Sequence, residues 1–264
     1  SQSVDGVLMP TDTIARVGEA RVDYSMAVGA RRRWAIISDQ IPFPDGTGSH
    51  SGMRTFYSDS FRIWHEVEVA GLGNYGVAIG AIDDTTALAE WASPFEKMLW
   101  RVLRGSQWEP ARLLTDQGFP IRPRLRPRPG GGFWLTWGTF GPEVKLASFV
   151  DGVWSEPTSV TADYAYGPHS QHFSENSEMS RDNAEYPWIV WDTQSPFSGG
   201  EIAVSFPTDT GYALGEVVPG SRGPSVLPTI VRDANDDVWI AWWRFQRATY
   251  FIHTYTRATA TNLR

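Results

Sequence analysis

The sequence predicts an all-β fold, a five-bladed β-propeller in which each blade is a four-stranded antiparallel sheet. Three observations predict this fold: an aromatic strand motif recurs along the chain, shorter landmarks keep fixed distances from that motif, and turn residues interrupt the apolar runs too often for helices. Within the 264 residues only Pro94–Arg104 is ambiguous, and the repeat assigns it to a strand.

The strand motif has the form Trp-x-x-Trp. It occurs as Trp134–Trp137, Trp188–Trp191 and Trp239–Trp242, with weaker copies at Leu88–Trp91 and Trp34–Ile37. The last residues of the five copies are separated by 54, 46, 54 and 51 positions along the chain. Repeats of this length are typical of propeller blades, and five of them account for the whole chain.

Two landmarks keep their distance from the motif. Trp108 lies 17 residues after Trp91, and Trp154 lies 17 residues after Trp137. A proline precedes the last residue of two motifs by 14 residues, at Pro123 and Pro228. The expected strands and turns of the third repeat follow from these offsets: strands at Arg122–Arg126, Phe133–Gly138, Glu143–Val150 and Val153–Val160, with turns at Pro129–Gly132 and Asp151-Gly152.

The N-terminus repeats a turn from the middle of the chain. Val4–Val7 has the same Val-Asp-Gly-Val sequence as the turn at residues 150–153. We therefore expect residues 4–12 to form the outer strand of the last blade and to close the ring beside Ala248–Thr256. Residues 1–264 would then be one domain with a tail at 257–264 that could be disordered. An open β-sandwich is the alternative, and in either fold most of the repeated tryptophans serve packing.

Composition excludes several classes of protein. The chain has no cysteine, which excludes disulfide scaffolds, zinc fingers and thiol nucleophiles. Its net charge of −7 argues against nucleic acid as the main partner. It has no apolar run long enough to span a membrane. The expected partner is a carbohydrate or another small polar ligand, and the expected state is a monomer. No targeting segment is evident. The sequence leaves the compartment open, with a secreted or periplasmic location preferred.

Two long segments interrupt the repeat and, in propeller topology, belong to the same face. They are Ser38–Gly52, expected as a loop of the first blade, and about Thr161–Tyr186, expected as the connection into the fourth blade. Three of the five histidines lie in them. Long irregular loops on a compact scaffold are usually functional or disordered. The sequence therefore predicts one site at the mouth of the propeller axis that bears these loops.

The candidate site residues are acids, bases and substrate contacts near this mouth. The catalytic candidates are Asp23, Asp39, Asp182, Asp192 and His172, and the candidate substrate-binding residues are Arg122, Arg124, His50, His169, Tyr166, Phe43, Glu175 and Glu178. Several have a structural alternative: a turn for Asp39, a cap or turn for Asp23, a salt bridge for Arg122 and Arg124, and ordinary hydrogen bonds for His169 and His172. No cofactor is predicted, although Ca²⁺ or another divalent ion could bind among the loops.

The stretch Val150–Pro157, with its proline-rich approach and its Trp-x-x-Trp strand, resembles sialidase-like propellers that contain bacterial neuraminidase repeats. The resemblance covers about residues 70–256 and concerns the repeat rather than a site. The Asp-box of that superfamily, Ser-x-Asp-x-Gly-x-x-Trp, has a different spacing here, in Ser148–Trp154. The sialidase arginine triad and Tyr–Glu pair have no matching residues. Five blades also resemble arabinanase-type glycosidases and tachylectin-type lectins.

These patterns favour a carbohydrate-active enzyme. In a glycoside hydrolase, two carboxylates would act as acid and as base or nucleophile, with arginine and histidine positioning the substrate. In a polysaccharide lyase, a histidine or tyrosine would act as base while arginine neutralises a uronate. The alternative is a non-catalytic propeller that binds a glycan or a protein. A lectin propeller would repeat its binding residues in every blade, whereas the polar residues here concentrate in two segments.

Overall fold

The structure is a computed structural model. It describes residues 3–4, 7–8, 23–42, 49–60, 63–67, 76–93, 97–117, 120–139, 143–160, 173–180, 186–194, 200–213, 215–246 and 249–257. All regular structure in these ranges is β-strand, as the sequence predicts. Among the described residues there is accordingly no helix that could cross a membrane. The chain divides into two compact units, one of Ser1–Pro94 with Leu99–Arg112 and one of Phe95–Met98 with Leu113–Arg264.

The first unit contains a short hairpin, one antiparallel sheet and most of a second. The hairpin is β1 (Ser3–Val4) and β2 (Val7–Leu8). The first sheet consists of β3 (Tyr24–Val28), β4 (Arg33–Pro42), β5 (Ser49–Ser60) and β6 (Ile63–Val67) in that order. The second sheet has β7 (Val77–Ala81), β8 (Thr86–Ser93), β9 (Lys97–Arg104) and β10 (Gln107–Trp108), with β11 (Arg112–Thr115) also paired to β9.

The second unit contains three larger sheets. The third sheet has β12 (Pro120–Pro127), β13 (Phe133–Thr139), β14 (Val144–Val150), β15 (Val153–Trp154) and β16 (Thr158–Ser159). A single bridge between Thr139 and Ser174 joins it to the fourth sheet. The remaining strands are β17 (Phe173–Met179), β18 (Ile189–Gln194), β19 (Glu201–Ser205), the hairpin β20 (Pro207–Thr208) and β21 (Gly211–Tyr212), β22 (Glu216–Val217), β23 (Ser225–Arg232), β24 (Val238–Gln246) and β25 (Thr249–Arg257).

The fourth sheet runs β17-β18-β19-β22, and the fifth runs β23-β24-β25. The first and fourth sheets thus have the four-stranded antiparallel form that the repeat predicts, and in the second and third sheets two short strands share the fourth position. At the N-terminus Val4 pairs with Val7 in the hairpin of β1 and β2, on either side of the turn that the sequence predicts at Asp5-Gly6. The number of blades and the closure of the ring by this segment stay predictions.

The repeated tryptophans pack between successive sheets within each unit. In the first unit Trp34 of β4 packs with Val77 and Ile79 of β7 and is fully buried. In the second unit Trp188 packs with Ile240 and Trp242 of the fifth sheet. Burying such a side chain contributes on the order of 2–3 kcal/mol. The motif recurs, therefore, because one strand position in each repeat supplies the contact with the next sheet.

The proline landmark marks a bulge in the first strand of a sheet. The ladder of β12 shifts register between Ile121 and Arg124, and that of β23 shifts between Val226 and Thr229. The residue before the proline has a positive φ in both strands, 49° for Arg122 and 54° for Leu227. Because proline has no N–H to donate to a ladder, it is confined to such irregular positions. The 14-residue offset in the sequence is the spacing from the proline of this bulge to the last tryptophan of the motif in the neighbouring strand.

Both segments expected as long loops are partly strand. β4 continues to Pro42 and β5 begins at Ser49, so that Asp39 pairs with Gly52 and His50 pairs with Ile41. The prediction of a loop over Ser38–Gly52 is wrong for these residues. Two antiparallel strands stay paired as long as their backbone amide and carbonyl groups satisfy each other. Such pairing does not require apolar side chains, so a polar sequence is compatible with a strand.

The second segment, Thr161–Tyr186, contains β17, the first strand of the fourth sheet. Glu175 and Glu178 therefore lie in a strand rather than in a connection, Glu175 paired with Asp192 and Glu178 with Val190. Asp192 itself lies inside β18 and not at the head of a loop. Ser174–Glu178 is too hydrophilic for its pattern to predict this strand. The strand pairs with β18, and its last residue, Met179, is buried.

Candidate functional site

Three arginines follow one another at alternate positions of the first strand of the third sheet. They are Arg122, Arg124 and Arg126 of β12. Side chains two apart in a strand point to the same side, although the bulge after Ile121 turns Arg122 away from the regular alternation. Arg124 pairs with Thr136 and Arg126 with Trp134 in the neighbouring strand. The alternation therefore concentrates positive charge on one side of this strand.

The carboxylate of Glu178 receives hydrogen bonds from two of these arginines. Arg124 Nε donates to Glu178 Oε1 at 3.0 Å, and Arg126 Nη2 donates to Glu178 Oε2 at 2.6 Å. Each arginine also donates through Nη1 to a carbonyl of its own strand, Arg124 to Pro123 at 3.0 Å and Arg126 to Leu125 at 3.2 Å. The backbone contacts fix the direction of both guanidinium groups, and Glu178 of β17 ties the third sheet to the fourth.

This Arg–Glu cluster, defined by Arg124, Arg126 and Glu178, is partly open to solvent. Each of the three side chains keeps 20–21% of its surface exposed. Beside the cluster the two sheets also meet through buried hydroxyls, where Thr136 Oγ1 lies 3.4 Å from Ser177 Oγ. The cluster thus combines a supported, half-buried geometry with access from solvent. Two guanidinium groups facing one carboxylate carry a net charge of +1, and such forks match the oxygens of a carboxylate or sulfate.

Asp23, a catalytic candidate, holds backbone amides. Its Oδ1 accepts a hydrogen bond from Tyr24 N at 3.0 Å, and its Oδ2 accepts one from Val77 N at 3.3 Å. Its own carbonyl accepts from Ser38 N at 2.8 Å. These contacts fit the structural alternative of a cap, because they join β3 to the start of β7.

Asp192, another catalytic candidate, is fully buried. Its Oδ2 accepts a hydrogen bond from Leu227 N at 2.9 Å, at the bulge of the fifth sheet. Asp23 and Asp192 therefore do the same task in the two units: each carboxylate binds the amide at the beginning of the next sheet's first strand. A substrate could not reach Asp192 without displacing the core around it.

The other candidate residues are described only in part. Asp39, His50 and Glu175 have their backbone in β4, β5 and β17, while their side chains lie outside the described parts of the chain. The residues that lie wholly outside the described ranges are Phe43, Tyr166, His169, His172 and Asp182. Their roles in catalysis and binding remain predictions. In the described ranges no three histidine, aspartate or glutamate side chains come together as a metal site.

Two notable residues are absent from the sequence-based candidates. Arg126 completes the Arg–Glu cluster, and its alternation with Arg124 was the signal that identifies it. Glu90 of β8 is fully buried, and both of its carboxylate oxygens lack a hydrogen-bond partner. Burial raises the pKa of Glu90 well above its usual range. The sequence does single out Glu90, because it is an acid at the third position of the strand motif. Two other repeats have the apolar residues Ile36 and Val190 at that position.

No family model matches the chain, and no curated protein matches it. Solved structures do match. A polysaccharide lyase, an ulvan lyase bound to -[GlcA(1-4)Rha3S]-, has a TM-score of 0.64 at 12% identity, covering 89% of this chain and 68% of its own. A mutant of the Aleuria aurantia lectin in complex with α-methyl-L-fucoside has a TM-score of 0.53 at 13% identity, covering 78% of this chain and 64% of its own.

A xylan β-1,4-xylosidase from Bacillus halodurans has a TM-score of 0.47 at 12% identity. The match covers 89% of this chain, which spans about half, 52%, of the xylosidase. At identities this low, likeness shows the fold alone. The antiparallel sheets and the likeness to propeller structures together show that this chain has a β-propeller fold.

Proposed function

We propose that this chain is a carbohydrate-active enzyme that binds an anionic polysaccharide at the Arg–Glu cluster. The observation that carries the proposal is the convergence of Arg124 and Arg126 on one half-buried carboxylate. Planar guanidinium groups held by their own backbone are suited to bind a uronate carboxylate or a sulfate by paired hydrogen bonds. In the free protein Glu178 would hold both guanidinium groups in position. The anionic group of a bound sugar would then accept hydrogen bonds from the same guanidinium groups.

Among reactions on such a polymer, β-elimination fits the described residues better than hydrolysis. A hydrolase needs one carboxylic acid to protonate the leaving oxygen and one carboxylate as base or nucleophile. Asp23 and Asp192 bind backbone amides, and Glu178 is bound by two arginines. Both oxygens of Glu178 accept hydrogen bonds from arginine, so this carboxylate already serves to hold the cluster together.

In β-elimination from a uronate, a base removes the C5 proton, the electron pair forms the C4–C5 double bond, and the C4–O bond breaks. The departing oxygen takes up a proton. Arginine beside the uronate carboxylate would stabilise the negative charge that develops as the C5 proton leaves. The base would come from His172, His169 or Tyr166, the candidates near β17 in sequence. The fold shared with an ulvan lyase whose bound sugar contains GlcA supports this choice of reaction.

The test is a panel of polysaccharides, some with uronate or sulfate groups and some neutral. We expect chain cleavage on a uronate polymer, with a product that absorbs ultraviolet light through its new double bond. Arg124→Gln and Arg126→Gln should each lower the rate by about 10²-fold or more. Arg128→Gln is the matched control, because Arg128 directly follows β12 and its guanidinium carbon lies 5.2 Å from the centre of the Trp134 ring.

Three results would change the proposal. New reducing ends without the unsaturated product would indicate hydrolysis. Binding of the anionic polymers without cleavage of any would indicate a non-catalytic, lectin-like propeller, for which the fold shared with a fucoside-bound lectin is the supporting observation. Equal loss of activity in Arg128→Gln would contradict a specific role for the Arg–Glu cluster.

A further inference from the structure

A partly exposed tyrosine lies at the same junction between the third and fourth sheets as the Arg–Glu cluster. Tyr186 keeps 43% of its surface exposed. Its ring centroid lies 5.2 Å from that of Trp134, with an angle of 41° between the two ring planes. Trp134 itself is only 7% exposed. Trp134 is therefore a buried support, and Tyr186 is the ring of this pair that a ligand can reach.

The supporting tryptophan lies directly beside the Arg–Glu cluster. Trp134 of β13 pairs with Arg126 of β12. Side chains of residues paired in this way lie on one side of the sheet, with their Cβ atoms about 5 Å apart. On the same side Thr136 faces Ser177 of β17, with 3.4 Å between the hydroxyl oxygens. The arginines of the cluster and the tryptophan that supports Tyr186 thus all face the fourth sheet.

Hydrogen bonds fix the backbone on the C-terminal side of Tyr186. The hydroxyl of Tyr212 donates to the carbonyl of Pro187 at 2.9 Å. Trp188 N donates to Ser180 Oγ at 3.0 Å, and the carbonyl of Trp188 accepts from Ser180 N at 2.8 Å. Tyrosine has few rotatable bonds, so it loses little conformational entropy when it contacts a ligand. A tyrosine beside a fixed backbone is therefore well suited to bind.

We propose that Tyr186 is a platform on which one sugar residue of the polysaccharide stacks while an anionic residue of the same chain binds the Arg–Glu cluster. The inference rests on the proposed function and adds a second subsite to it. A pyranose ring presents C–H groups on its face, and these pack on an aromatic ring as other apolar surfaces do. Together the two subsites select a polymer that joins anionic residues to residues with such a face.

The test compares a short and a long probe by titration calorimetry. The short probe is glucuronate, which can occupy the cluster alone, and the long probe is the uronate polymer of the panel that the parent chain binds most tightly. Tyr186→Ala should weaken the binding of the polymer about tenfold, as expected for the loss of one aromatic stacking contact. It should leave the binding of glucuronate unchanged. Arg124→Gln should weaken the binding of both probes.

Two further variants at this position separate the ring from the hydroxyl. Tyr186→Phe keeps the ring and should bind the polymer like the parent chain. Tyr186→Leu keeps an apolar side chain over Trp134 and should lose affinity as Tyr186→Ala does, so it serves if circular dichroism shows that the alanine variant fails to fold. Val153→Ala is the control, because Val153 is a 70% exposed apolar residue of the same third sheet. It should bind both probes like the parent.

Turnover gives a second readout. Tyr186→Ala should raise KM for the polymer and leave kcat unchanged, because the platform holds a sugar residue other than the one that reacts. A lower kcat in Tyr186→Phe overturns the inference, because the hydroxyl would then take part in the reaction. Polymer binding by Tyr186→Ala equal to that of the parent overturns it as well, while a loss of both probes in Arg124→Gln still supports the proposed function.

Failure of the proposed function gives a different result. If the parent and Arg124→Gln bind glucuronate equally, the Arg–Glu cluster is not the anionic subsite, whatever the variants of Tyr186 do. A parent chain that binds neither probe overturns both proposals.

Discussion

Arg124 and Glu178 occupy the same position in consecutive repeats, 54 residues apart, and they bind each other at 3.0 Å. The third and fourth sheets thus place opposite charges where their first strands meet. Arg126 adds a second cation two residues further along the same strand. The Arg–Glu cluster therefore forms only where two neighbouring repeats meet, and neither repeat contains it alone.

Glu178→Gln should weaken the fold and strengthen the binding of anionic polysaccharide. Removing one carboxylate leaves two partly buried guanidinium groups without that counter-charge, at a cost of about 2 kcal/mol in the free energy of unfolding. The same change removes the carboxylate that would compete with a ligand carboxylate or sulfate for both arginines. Urea unfolding and titration calorimetry measure the two effects. Glu109→Gln, in the more exposed pair with Arg104, should cost less than about 1 kcal/mol.

Weaker binding of the anionic polymer by Glu178→Gln would contradict a ligand site at the cluster. The binding should also weaken with added salt, because the attraction is between charges. A salt-independent affinity would point to another surface of the molecule.

Replacing Glu90 should stabilise the protein increasingly as the pH rises. Burial raises the pKa of Glu90 in the folded state above the ordinary value of 4.5. Between these two pKa values the folded state holds a proton that the unfolded state has lost, so the free energy of unfolding falls as the pH increases. This contribution has a limiting slope of about 1.4 kcal/mol per pH unit. Glu90→Gln and Glu90→Leu remove it.

Urea unfolding of parent and variants between about pH 5 and about pH 8 checks the sign of this effect. Glu156→Gln, an exposed control, should follow the parent curve. A difference between the parent and Glu90→Gln that stays constant with pH would mean that Glu90 does not titrate as a buried acid.

Asp192→Ala should destabilise the second unit by about 2 kcal/mol, because Leu227 N loses a buried acceptor. Hydrogen exchange gives the specific readout: the Leu227 amide should exchange faster than in the parent even where the fold persists. Asp209→Ala, in the exposed turn between β20 and β21, is the matched control and should leave stability nearly unchanged. An unaltered exchange rate at Leu227 would argue against the carboxylate as its partner.

Gly132→Ala should be more destabilising than Gly131→Ala. Both glycines have positive φ, 81° and 107°, so both variants strain the backbone at this turn. A Cβ on Gly132 would in addition collide with the carbonyl oxygen of Phe149, whereas a Cβ on Gly131 meets nothing within 4 Å. Thermal unfolding should separate the two variants by several degrees. Equal melting temperatures would show that the turn can move away from β14 with no loss of stability.

The sheets could be predicted from the sequence because the strand motif and the turn residues that define them are local patterns that recur along the chain. Trp137 and Trp191 are both buried and end the strand motif in consecutive repeats, and Trp191 packs with Trp134 of the preceding sheet. The predicted turn at Asp151-Gly152 also forms, with the positive φ values of 51° and 84° that its residue types favour. Strand Lys97–Arg104 confirms the choice of strand over helix for that stretch.

The site was harder to predict because it depends on partners distant in sequence. Arg124 and Glu178 were separate candidates, and only the register of β12 and β17 shows that they form a pair. The strand at Phe173–Met179 has too many polar residues for its own pattern to show it. Likewise, only the position of Val77 N beside the Asp23 carboxylate distinguishes a cap from a catalytic acid.

The bulge at Arg122 and Leu227 has a consequence for how such a chain can change over time. In the third, fourth and fifth sheets, a register shift sets where the first strand regains its regular alternation, and thereby which residue pairs with the third position of the strand motif. The residue that pairs with this position is Ala78, Arg124, Glu178 or Thr229 in four successive sheets. Small, basic, acidic and hydroxyl side chains are all accepted there. New chemistry can therefore arise by single substitutions at this position, while the tryptophan contacts that hold the sheets together stay as they are.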